Sequence, residues 1–300
     1  MHGKGHSGIL LLDKPQGLSS NRALQKVRHL LGKVKAGHTG TLDPMATGML
    51  PICLGFATRM SHFLLSADKS YHAVAQLGVA TDSGDAFGNI IKTCDVAKIT
   101  TDMLTEATKK YSGAISQIPP MYSALHHNGK RLYELAREGI TVDRPSRQVN
   151  IHSLALQLNK HELTIEVTCS KGTYIRTLAE DLAAELGTCA HLTQLRRTYT
   201  SPFNTQKMIS LEDFEAMDLE QRWKAIMPTD AVLEHMGEFV ASQEETLHFL
   251  QGRPVSPEHQ PTMGDVRIYN HEREFIGVGV METNGLLRPK KIDPAFQSHQ

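Results

Sequence analysis

The 300-residue sequence predicts an α+β protein with a mixed, mainly antiparallel sheet and a small β-rich unit at the C-terminus. Strand patterns follow one another in pairs more often than they alternate with helices, which favours antiparallel pairing over β-α-β units. The chain exceeds the commonest single-domain size, so a large domain followed by a small one is expected. Composition turns acidic near Met208 and strand-rich after Gly237, which divides the chain into residues 1–236 and 237–300.

Hydrophobic periodicity predicts the elements of the first half. Ser19 or Ser20 is expected to cap the first helix and Gly32 to end it, because hydroxyl side chains favour helix starts and glycine favours helix ends. DAFGNIIKT is expected to pair with SYHAVAQLGV across a polar turn. In order, the pattern predicts a strand in SGILLLDKP, a helix in SSNRALQKVRHLLG, a strand in MLPICLG, a helix in ATRMSHFLLSA, a strand in SYHAVAQLGV and a helix in TTDMLTEATKKYSG.

The second half begins with two adjoining strands and continues into one strong helix. The strands QVNIHSLALQLN and ELTIEVTCS are joined by Lys160 and His161, and the helix TYIRTLAEDLAAELG ends at Gly187. The next segment, HLTQLRRTYTS, is predicted to be a strand. After it, the pattern predicts two short helices, SLEDFEAM and LEQRWKAI, and the strand-rich segment RIYNHEREFIGVGVMETNGLLRPKKI with an Asn284-Gly285 turn.

The segment at about residues 117–147 differs from the sequence around it. It reads QIPPMYSALHHNGKRLYELAREGITVDRPSR, is basic and tyrosine-rich, and is bounded by proline and glycine. A helix is expected only at KRLYELARE. Charge and proline at this density do not suit a buried core element, so the segment is predicted to be a projecting insertion.

The net charge is zero, but it is distributed unevenly. Residues 1–72 carry nine Lys or Arg against three Asp, whereas residues 208–265 carry three basic against twelve acidic residues. Such asymmetry is expected of a protein with a nucleic-acid surface on one side. A solvated helix face containing Arg22, Lys26 and Arg28 explains the basic part equally well, so charge alone leaves both interpretations open.

Composition excludes several other kinds of protein. No window approaches the ~20 apolar residues of a membrane helix, and the apolar run 9–12 is too short for a secretion signal, so a cytoplasmic location is expected. Cys53, Cys94, Cys169 and Cys189 lack C-x-x-C spacing and are expected to be reduced and mostly buried. Neither H-E-x-x-H nor another ligand cluster occurs, so no metal is expected.

The stretch GHTGTLDPMATGMLP, residues 37–51, places a single acid, Asp43, among glycines, threonines and apolar residues. Asp43 and Pro44 suit the cap and first turn of a helix, which is a sufficient local explanation of the pair. Gly40 and Gly48 limit such a helix to about one turn, however, so the loop is suited to presenting the carboxylate. A phosphate-binding P-loop is excluded because the G-x-x-x-x-G-K-[ST] spacing is absent.

Several motifs, taken together, resemble one protein family. GHTGTLDPMATGMLPICLGFATR is similar to the signature of the TruB-type pseudouridine synthases, the bacterial family that isomerises uridine 55 in the T loop of transfer RNA. The resemblance spans about residues 9–200 and continues, less closely, into a C-terminal PUA-like RNA-binding domain. It implies the pseudouridine synthase fold, a catalytic domain over 1–236 and an RNA-gripping insertion. The other similar motifs are LLLDKPQGLSS, KSYHAVAQLG, IPPMYSALHHNGKRLYELAREG, CSKGTYIRTLAEDLAAELG and HLTQLRRT.

The resemblance implies catalysis by Asp43, Tyr71 and Arg176, without a cofactor. The reaction breaks the bond from ribose to N1 of uracil and rejoins the ribose to C5, so it needs a nucleophile that can leave again. A carboxylate serves without an activating base, but the residues leave open whether it attacks C1′, attacks C6 or only assists loss of the base. Arg176 is expected to keep Asp43 ionised through an attraction of roughly 4 kcal/mol at ~4 Å. Tyr71 is expected to stack on the base and to help remove the C5 proton.

Without the motifs, two of these residues have ordinary explanations. Arg176 stands at the edge of the apolar face of its helix, as a surface arginine does. Tyr71 fits a half-buried tyrosine in a strand. The family resemblance, and not the local pattern, favours the catalytic interpretation.

The resemblance implies seven further residues in RNA binding: His38, Tyr174, Leu195, Lys14, Arg59, Lys130 and Arg131. A base in a folded loop must be flipped out, and His38 is expected to take its place in the T loop. Tyr174 and Leu195 are expected to line the uracil pocket, and Lys14 to support the Asp43 loop or the neighbouring backbone. The remaining three cations are expected to meet phosphates.

Three positions depart from the residues that are common in the family. His72 stands where arginine is frequent, Met45 where leucine is frequent, and Arg59 where lysine is frequent. At neutral pH a histidine carries little charge, so His72 would contact a phosphate more weakly than arginine does.

The partner expected from the resemblance is transfer RNA, bound through its T-arm stem-loop by a monomer. No membrane and no obligatory protein partner are expected. An alternative is a folding helper that remodels the T loop without depending on catalysis, but the intact set of Asp43, Tyr71 and Arg176 favours an enzyme. A catalytic subunit that works with guide RNA and protein partners is disfavoured by the bacterial type of insertion and the compact tail.

Overall fold

The computed structural model describes residues 6–203, 206–259 and 261–299. Its strands are β1 Gly8–Lys14, β2 Ala36–His38, β3 Thr47–Leu54, β4 Lys69–Leu77, β5 Val79–Thr81, β6 Ile90–Thr93, β7 Gly113–Gln117, β8 His126–His127, β9 Lys130–Arg131, β10 Arg147–Asn159, β11 Glu162–Cys169, β12 Ala190–Thr200, β13 Ile209–Ser210, β14 Gly237–Val240, β15 Gly264–Tyr269, β16 Phe275–Met281 and β17 Leu287–Ile292. Its α-helices are α1 Ser20–Leu30, α2 Ser61–Ser66, α3 Thr101–Lys110, α4 Leu132–Arg137, α5 Ile175–Glu185, α6 Leu211–Ala216, α7 Leu219–Lys224 and α8 Gln243–Leu250. Short 3-10 helices occupy Gly55–Met60, Thr229–Val232 and Pro294–His299.

A nine-stranded sheet forms the centre of the protein. The strands run in the order β13-β1-β3-β12-β4-β11-β10-β7, and β2 pairs with β3 beside this path. Within the described residues, six of the eight pairings are antiparallel, and only β1 with β13 and β3 with β12 are parallel. The predicted α+β class with a mainly antiparallel sheet is therefore confirmed.

One predicted strand pairing is wrong. β4 lies between β11 and β12 in the middle of the sheet, whereas DAFGNIIKT supplies β6, which pairs with the short β5. Gly78, at a φ of +91°, separates β4 from β5 and suits a change of chain direction that an L-residue with a side chain rarely makes. Both edges of β4 are taken by strands distant in sequence, which a local pattern does not reveal.

The prediction that all four cysteines are reduced is also wrong. Cys94 and Cys189 form a disulfide with their Cα atoms 5.8 Å apart. The backbone of Gly78 brings them together, because its carbonyl accepts from the Cys94 N–H and its N–H donates to the Cys189 carbonyl. A separation of 95 residues hides this pairing from any spacing rule. Cys53 and Cys169 are free and buried, as predicted.

Both faces of the sheet are covered near β1. Leu10 and Leu12 belong to the main hydrophobic cluster with the apolar faces of α1 and α5, whereas Ile9 and Leu11 point into a second cluster that includes Phe203. Since alternate residues of a strand face opposite sides, a continuous apolar run is required here. Each buried leucine contributes roughly 1.5–3 kcal/mol to folding. Among the described helices, none is both long and apolar enough to cross a bilayer.

Two smaller units extend from the central sheet. Residues 118–146 lie between β7 and β10 and contain the β8-β9 hairpin and α4, whose Leu132 and Leu135 are buried outside the three main clusters. At the C-terminus, β14, β15, β16 and β17 form a second sheet with its own cluster around Phe249 and Ile268. The predicted β-rich C-terminal unit is confirmed, and α8 within it was not predicted.

Candidate active site

The loop between β2 and β3 presents Asp43 at a defined position. Ser20 at the start of α1 is buried, and its hydroxyl both accepts from the Leu42 N–H at 2.8 Å and donates to the Leu42 carbonyl at 2.9 Å. Leu42 and Met45, on either side of the acid, are buried in the main cluster. A single turn follows, closed by the Ala46 N–H on the Asp43 carbonyl. The loop is anchored on both sides of Asp43, and no described helix starts there.

Arg176 holds the Asp43 carboxylate from the first turn of α5. The Arg176 Nε lies 2.9 Å from Asp43 Oδ2. The other two nitrogens donate to main-chain carbonyls, Nη1 to Ser83 at 2.6 Å and Nη2 to Tyr122 at 2.7 Å. The arginine side chain is only 3% exposed. Its planar head is therefore fixed by the Asp43 loop, by the turn after β5 and by the insertion at once.

Burial and charge act against each other on Asp43. Burial is the largest influence and raises the pKa of the Asp43 carboxyl above its ordinary value, and the neighbouring Asp85 raises it further. The charge and hydrogen bond of Arg176 and the charge of Lys14 lower it. The expected support from Arg176 is present, but burial outweighs it in the free protein. The Asp43 side chain keeps 31% of its surface accessible, which leaves it open to a substrate.

Asp43 and Arg176 line a cavity of about 410 Å³. Three other predicted residues, Tyr71, Tyr174 and Leu195, line the same cavity. Its volume falls in the range of about 300–1,000 Å³ that is usual for small-molecule sites. Residues 123–125 of the insertion form a further part of its wall.

Tyr71 reaches the cavity because of strand alternation. Along β4 the side chains of Lys69, Ala73, Ala75 and Leu77 are buried, and Tyr71 has the same parity. Burial raises the pKa of the Tyr71 phenol, so the side chain is protonated at neutral pH. A neutral phenol stacks well on a nucleobase but is a weak base, which favours the stacking part of the predicted role.

Two buried cations in the cavity wall were missed by the sequence reasoning. Arg197 is 1% exposed, and its guanidinium donates to the Met49 carbonyl at 2.6 Å and to the Gly40 carbonyl at 3.0 Å. It follows Leu195 by two residues, so strand alternation puts both on one face and could have revealed it. Arg197 thereby ties β12 to the start of the Asp43 loop.

Lys69 is the second missed cation and shares its strand face with Tyr71. Its ammonium donates to the carbonyls of Leu64, Leu65 and Ala67. Burial lowers the pKa of Lys69 to about 8. With Arg176 and Arg197 it surrounds the cavity with positive charge, which favours the entry of an anionic ligand.

Two predicted RNA-binding residues lie beside the Asp43 loop but do not line its cavity. Lys14 is fully buried, and its Nζ donates to the carbonyls of Pro15 at 2.9 Å and Leu18 at 2.7 Å. Burial lowers its pKa to about 8. His38 belongs to β2, and burial lowers the pKa of its ring. The Nδ1 of His38 is buried and has no hydrogen-bond partner among the described residues.

The three remaining predicted cations lie on the surface, away from the cavity lining. Arg59 is exposed on a 3-10 helix, and its main-chain carbonyl accepts from Lys291 of the C-terminal sheet at 2.8 Å. Lys130 and Arg131 are exposed in the β8-β9 hairpin, where Lys130 is 3.3 Å from a Glu138 oxygen. The structure does not place these cations in the cavity that contains Asp43.

The departures at His72 and Met45 lie outside the cavity lining. His72 follows Tyr71 on β4, so its side chain points to the opposite face of the strand. Met45 is 2% exposed and packs in the main cluster, where an unbranched side chain replaces leucine with little change in volume. Across the described parts of the chain, no three His, Cys, Asp or Glu residues stand close enough together to bind a metal ion.

Solved structures share this architecture. The chain aligns with the Cbf5-Nop10-Gar1 complex at a TM-score of 0.68 and 24% identity, over 97% of this chain and 81% of that one. It aligns with an H/ACA RNP bound to a substrate RNA containing 2′-deoxyuridine at a TM-score of 0.71 and 23% identity, over 96% and 85% of the two chains. These likenesses show that the chain has the same fold class as those proteins.

Sequence relatives narrow the class to a family. Residues 28–175 match the family described as TruB family pseudouridylate synthase (N terminal domain), and residues 176–234 match the tRNA pseudouridylate synthase B C-terminal domain. Residues 240–292 match Pseudouridine synthase II TruB, C-terminal. A tRNA pseudouridine synthase B from Aromatoleum aromaticum is 49% identical over 95% of this chain and 92% of its own length. One from Stutzerimonas stutzeri is 45% identical over 95% of each chain. The chain belongs to the TruB family of pseudouridine synthases.

Proposed function

We propose that this chain converts uridine to pseudouridine at position 55 in the T loop of transfer RNA, without a metal or a cofactor. One observation carries the proposal: an accessible carboxylate, Asp43, is paired with a buried arginine in a cavity that also contains Tyr71. The names of the relatives support a transfer RNA substrate. The position in the T loop rests on the motif resemblance.

The reaction is an isomerisation that consumes nothing. The C1′–N1 bond breaks, the uracil turns, and a C1′–C5 bond forms, while C5 loses a proton and N1 gains one. Asp43 acts as the nucleophile that assists cleavage and then leaves again. Arg176 orients the Asp43 carboxylate and lowers its pKa against the effect of burial, and Tyr71 stacks on the flipped base. Tyr174 and Leu195 enclose the uracil edge.

RNA binding uses surfaces on several sides of the cavity. Lys69 and Arg197 supply positive charge at the cavity wall, and Lys130, Arg131 and Arg59 supply phosphate contacts outside it. His38 fills the place of the flipped nucleotide, and Lys14 supports the loop that carries Asp43. Residues 1–236 act as the catalytic domain and 237–300 as a PUA-like RNA-binding domain. The protein works as a cytoplasmic monomer without an obligatory protein partner.

Replacement of Asp43 by asparagine tests the proposal. Asp43→Asn keeps the side-chain shape but removes the nucleophile, so turnover should fall by about three orders of magnitude or more. The measurement is single-nucleotide mapping of pseudouridine in an unmodified T-arm hairpin, together with RNA affinity, which should persist. Asp95→Asn, at an exposed loop carboxylate, is the matched control and should keep full activity.

Two results would contradict the catalytic assignment. Undiminished turnover in Asp43→Asn would remove Asp43 from the chemistry. A wild-type protein that binds the hairpin and refolds it but converts none of its uridines would instead support the folding helper.

A further inference from the structure

The insertion leaves and re-enters the sheet at a single point. Gln117 is the last residue of β7 and Arg147 the first of β10, and the two are direct partners in the antiparallel ladder. Residues 118–146 therefore form one insertion between two paired strands, and the Gln117–Arg147 pair is its base. The main chain of the insertion joins the sheet at Gln117 and Arg147.

Gln117 holds the main chain of Tyr174. Its Oε1 accepts from the Tyr174 N–H at 3.1 Å, and its Nε2 donates to the Tyr174 carbonyl at 3.2 Å. Gln117 is 1% exposed, so the side-chain end of both bonds is buried. The side-chain amide thus satisfies both main-chain polar groups of the residue that precedes α5.

Arg147 holds the ring of the same tyrosine. Its guanidinium carbon lies 4.6 Å from the Tyr174 ring centroid, which is cation–π distance. Its Nη2 also donates to the Gly172 carbonyl. Gly172 has a φ of +84°, and a Cβ built there would lie 3.5 Å from the same guanidinium carbon. The positive φ of the turn therefore favours glycine here, and Arg147 contacts both this turn and the Tyr174 ring.

Tyr174 connects this base to the catalytic pair. It lines the cavity, and α5 begins at the next residue, which puts Arg176 in the first turn. The insertion also reaches Arg176 directly, because the Tyr122 carbonyl accepts from its Nη2. A displacement of the insertion would therefore move both the wall of the cavity and the group that orients Asp43.

We propose that Gln117 and Arg147 are positioning residues that clamp Tyr174, so that RNA seated on the insertion aligns the uracil pocket with Asp43. The inference rests on the proposed function and adds a route by which binding outside the cavity controls geometry inside it. Reaction rates respond steeply to such alignment, since a misplacement of about 1 Å costs roughly 10²-fold. The clamp acts on the chemical step, whereas a phosphate contact acts on affinity.

Two conservative variants test the clamp, one at each of its two residues. Arg147→Lys keeps the charge but loses the planar head, and Gln117→Glu keeps the acceptor but sets a carboxylate against the Tyr174 carbonyl. Each should lower the single-turnover rate constant on a T-arm hairpin by about 10- to 100-fold with RNA affinity unchanged. Arg147→Lys should keep the melting temperature, whereas Gln117→Glu should also lower it because it buries a carboxylate. Gln148→Ala, the exposed next residue of β10, is the matched control and should behave as wild type.

A double-mutant cycle tests whether Arg147 acts through Tyr174. Tyr174→Leu removes the ring, so adding Arg147→Lys to it should cause no further loss of rate. Independent losses that multiply would overturn the clamp. So would a loss of affinity with a smaller salt dependence at unchanged rate, because that result identifies Arg147 as a phosphate contact.

Hydrogen exchange gives a readout that does not depend on activity. In wild type, RNA should slow exchange in residues 172–178, and both clamp variants should exchange faster there without RNA. Unchanged exchange in the variants would overturn the clamp even if turnover fell. Absence of wild-type turnover would overturn the proposed function and with it the rate prediction, whereas active wild type with equally active variants would overturn the clamp alone.

Discussion

At the level of single residues, the shape of the Arg176 side chain matters to the site as much as its charge does. Each of its three nitrogens has a different partner, in the Asp43 loop, at Ser83 and at Tyr122. Only a planar fork with donors in three directions can hold all of them at once. The Asp43 carboxylate is consequently oriented by a group that has no freedom to rotate.

Arg176→Lys should lose most activity although it conserves the charge. One ammonium cannot replace three fixed donors, so we expect single-turnover rates to fall by about 10²-fold or more. RNA affinity should change little, because the arginine side chain is buried and faces Asp43. Arg22→Lys, at an exposed position of α1, provides the control. Turnover within the range of the control would contradict the role of the fork.

The raised pKa of Asp43 predicts the pH dependence of the reaction. In the proposed mechanism the reactive form is the ionised carboxylate, so the rate should rise with pH and level off above the Asp43 pKa. Because burial raises that pKa, the rate should fall on acidification at a higher pH than an ordinary aspartate would cause. Single-turnover rate constants measured between about pH 5 and about pH 8 record this fall in rate on acidification. A rate that increases on acidification would contradict the assignment.

At the scale of secondary structure, two central strands place the buried cations. β4 and β12 are antiparallel neighbours, and the alternation of each directs Lys69, Tyr71, Leu195 and Arg197 into the cavity. Burial of a charge is costly unless hydrogen bonds compensate it, and both cations donate to main-chain carbonyls. The two strands therefore supply the positive charge of the site as well as its walls.

Gly48 in β3 sets how closely that strand approaches β12. Its φ is +98°, and a Cβ there would lie 2.2 Å from the Arg197 carbonyl oxygen, which is main chain and cannot move aside alone. Gly48→Ala should lower the free energy of unfolding by about 3 kcal/mol or more, from backbone strain and overlap together. Urea unfolding measures this loss.

Gly32→Ala separates the two causes. Gly32 has a φ of +74° but nothing within 4 Å of a built Cβ, so this variant carries the backbone strain without the overlap. It should lose only about 1–2 kcal/mol. Equal losses in the two variants would contradict a close approach of β3 and β12 as the reason for Gly48.

For the molecule as a whole, the disulfide joins distant parts of the main domain. Cys94 follows the β5-β6 hairpin, and Cys189 lies between α5 and β12, so the insertion and α5 lie between the two cysteines in sequence. A cross-link over 95 residues restricts the unfolded chain more than it affects the folded one. Its effect should therefore appear in stability rather than in the geometry of the cavity.

Reduction of the disulfide should destabilise the protein without abolishing turnover. Dithiothreitol should lower the free energy of unfolding by about 2–4 kcal/mol. A variant with both Cys94→Ser and Cys189→Ser should start at the lower value and show no response to the reductant. Alkylation of all four thiols in unreduced, unfolded protein, measured by mass, would contradict the cross-link.

Local pattern predicted the elements well because periodicity is a property of neighbouring residues. The helix cap at Ser19 and the strands around Leu10 and Leu195 agree with the structure. The partner of β4 and the Cys94–Cys189 pair could not be predicted, because each joins residues whose separation along the chain carries no signal. Arg197 could have been found, since it shares the strand face of Leu195.

The sequence by itself determined the fold class, the order of the elements and, through its motifs, the family and the residues to which the chemistry is assigned. Only the tertiary structure decided that Asp43 meets Arg176 across 133 positions of chain, that His38 and Arg59 lie outside the cavity lining, and that Gln117 and Arg147 both contact Tyr174. The physical reason is that local propensity acts over a few residues, whereas burial and ion pairing act through space and depend on which distant strands become neighbours.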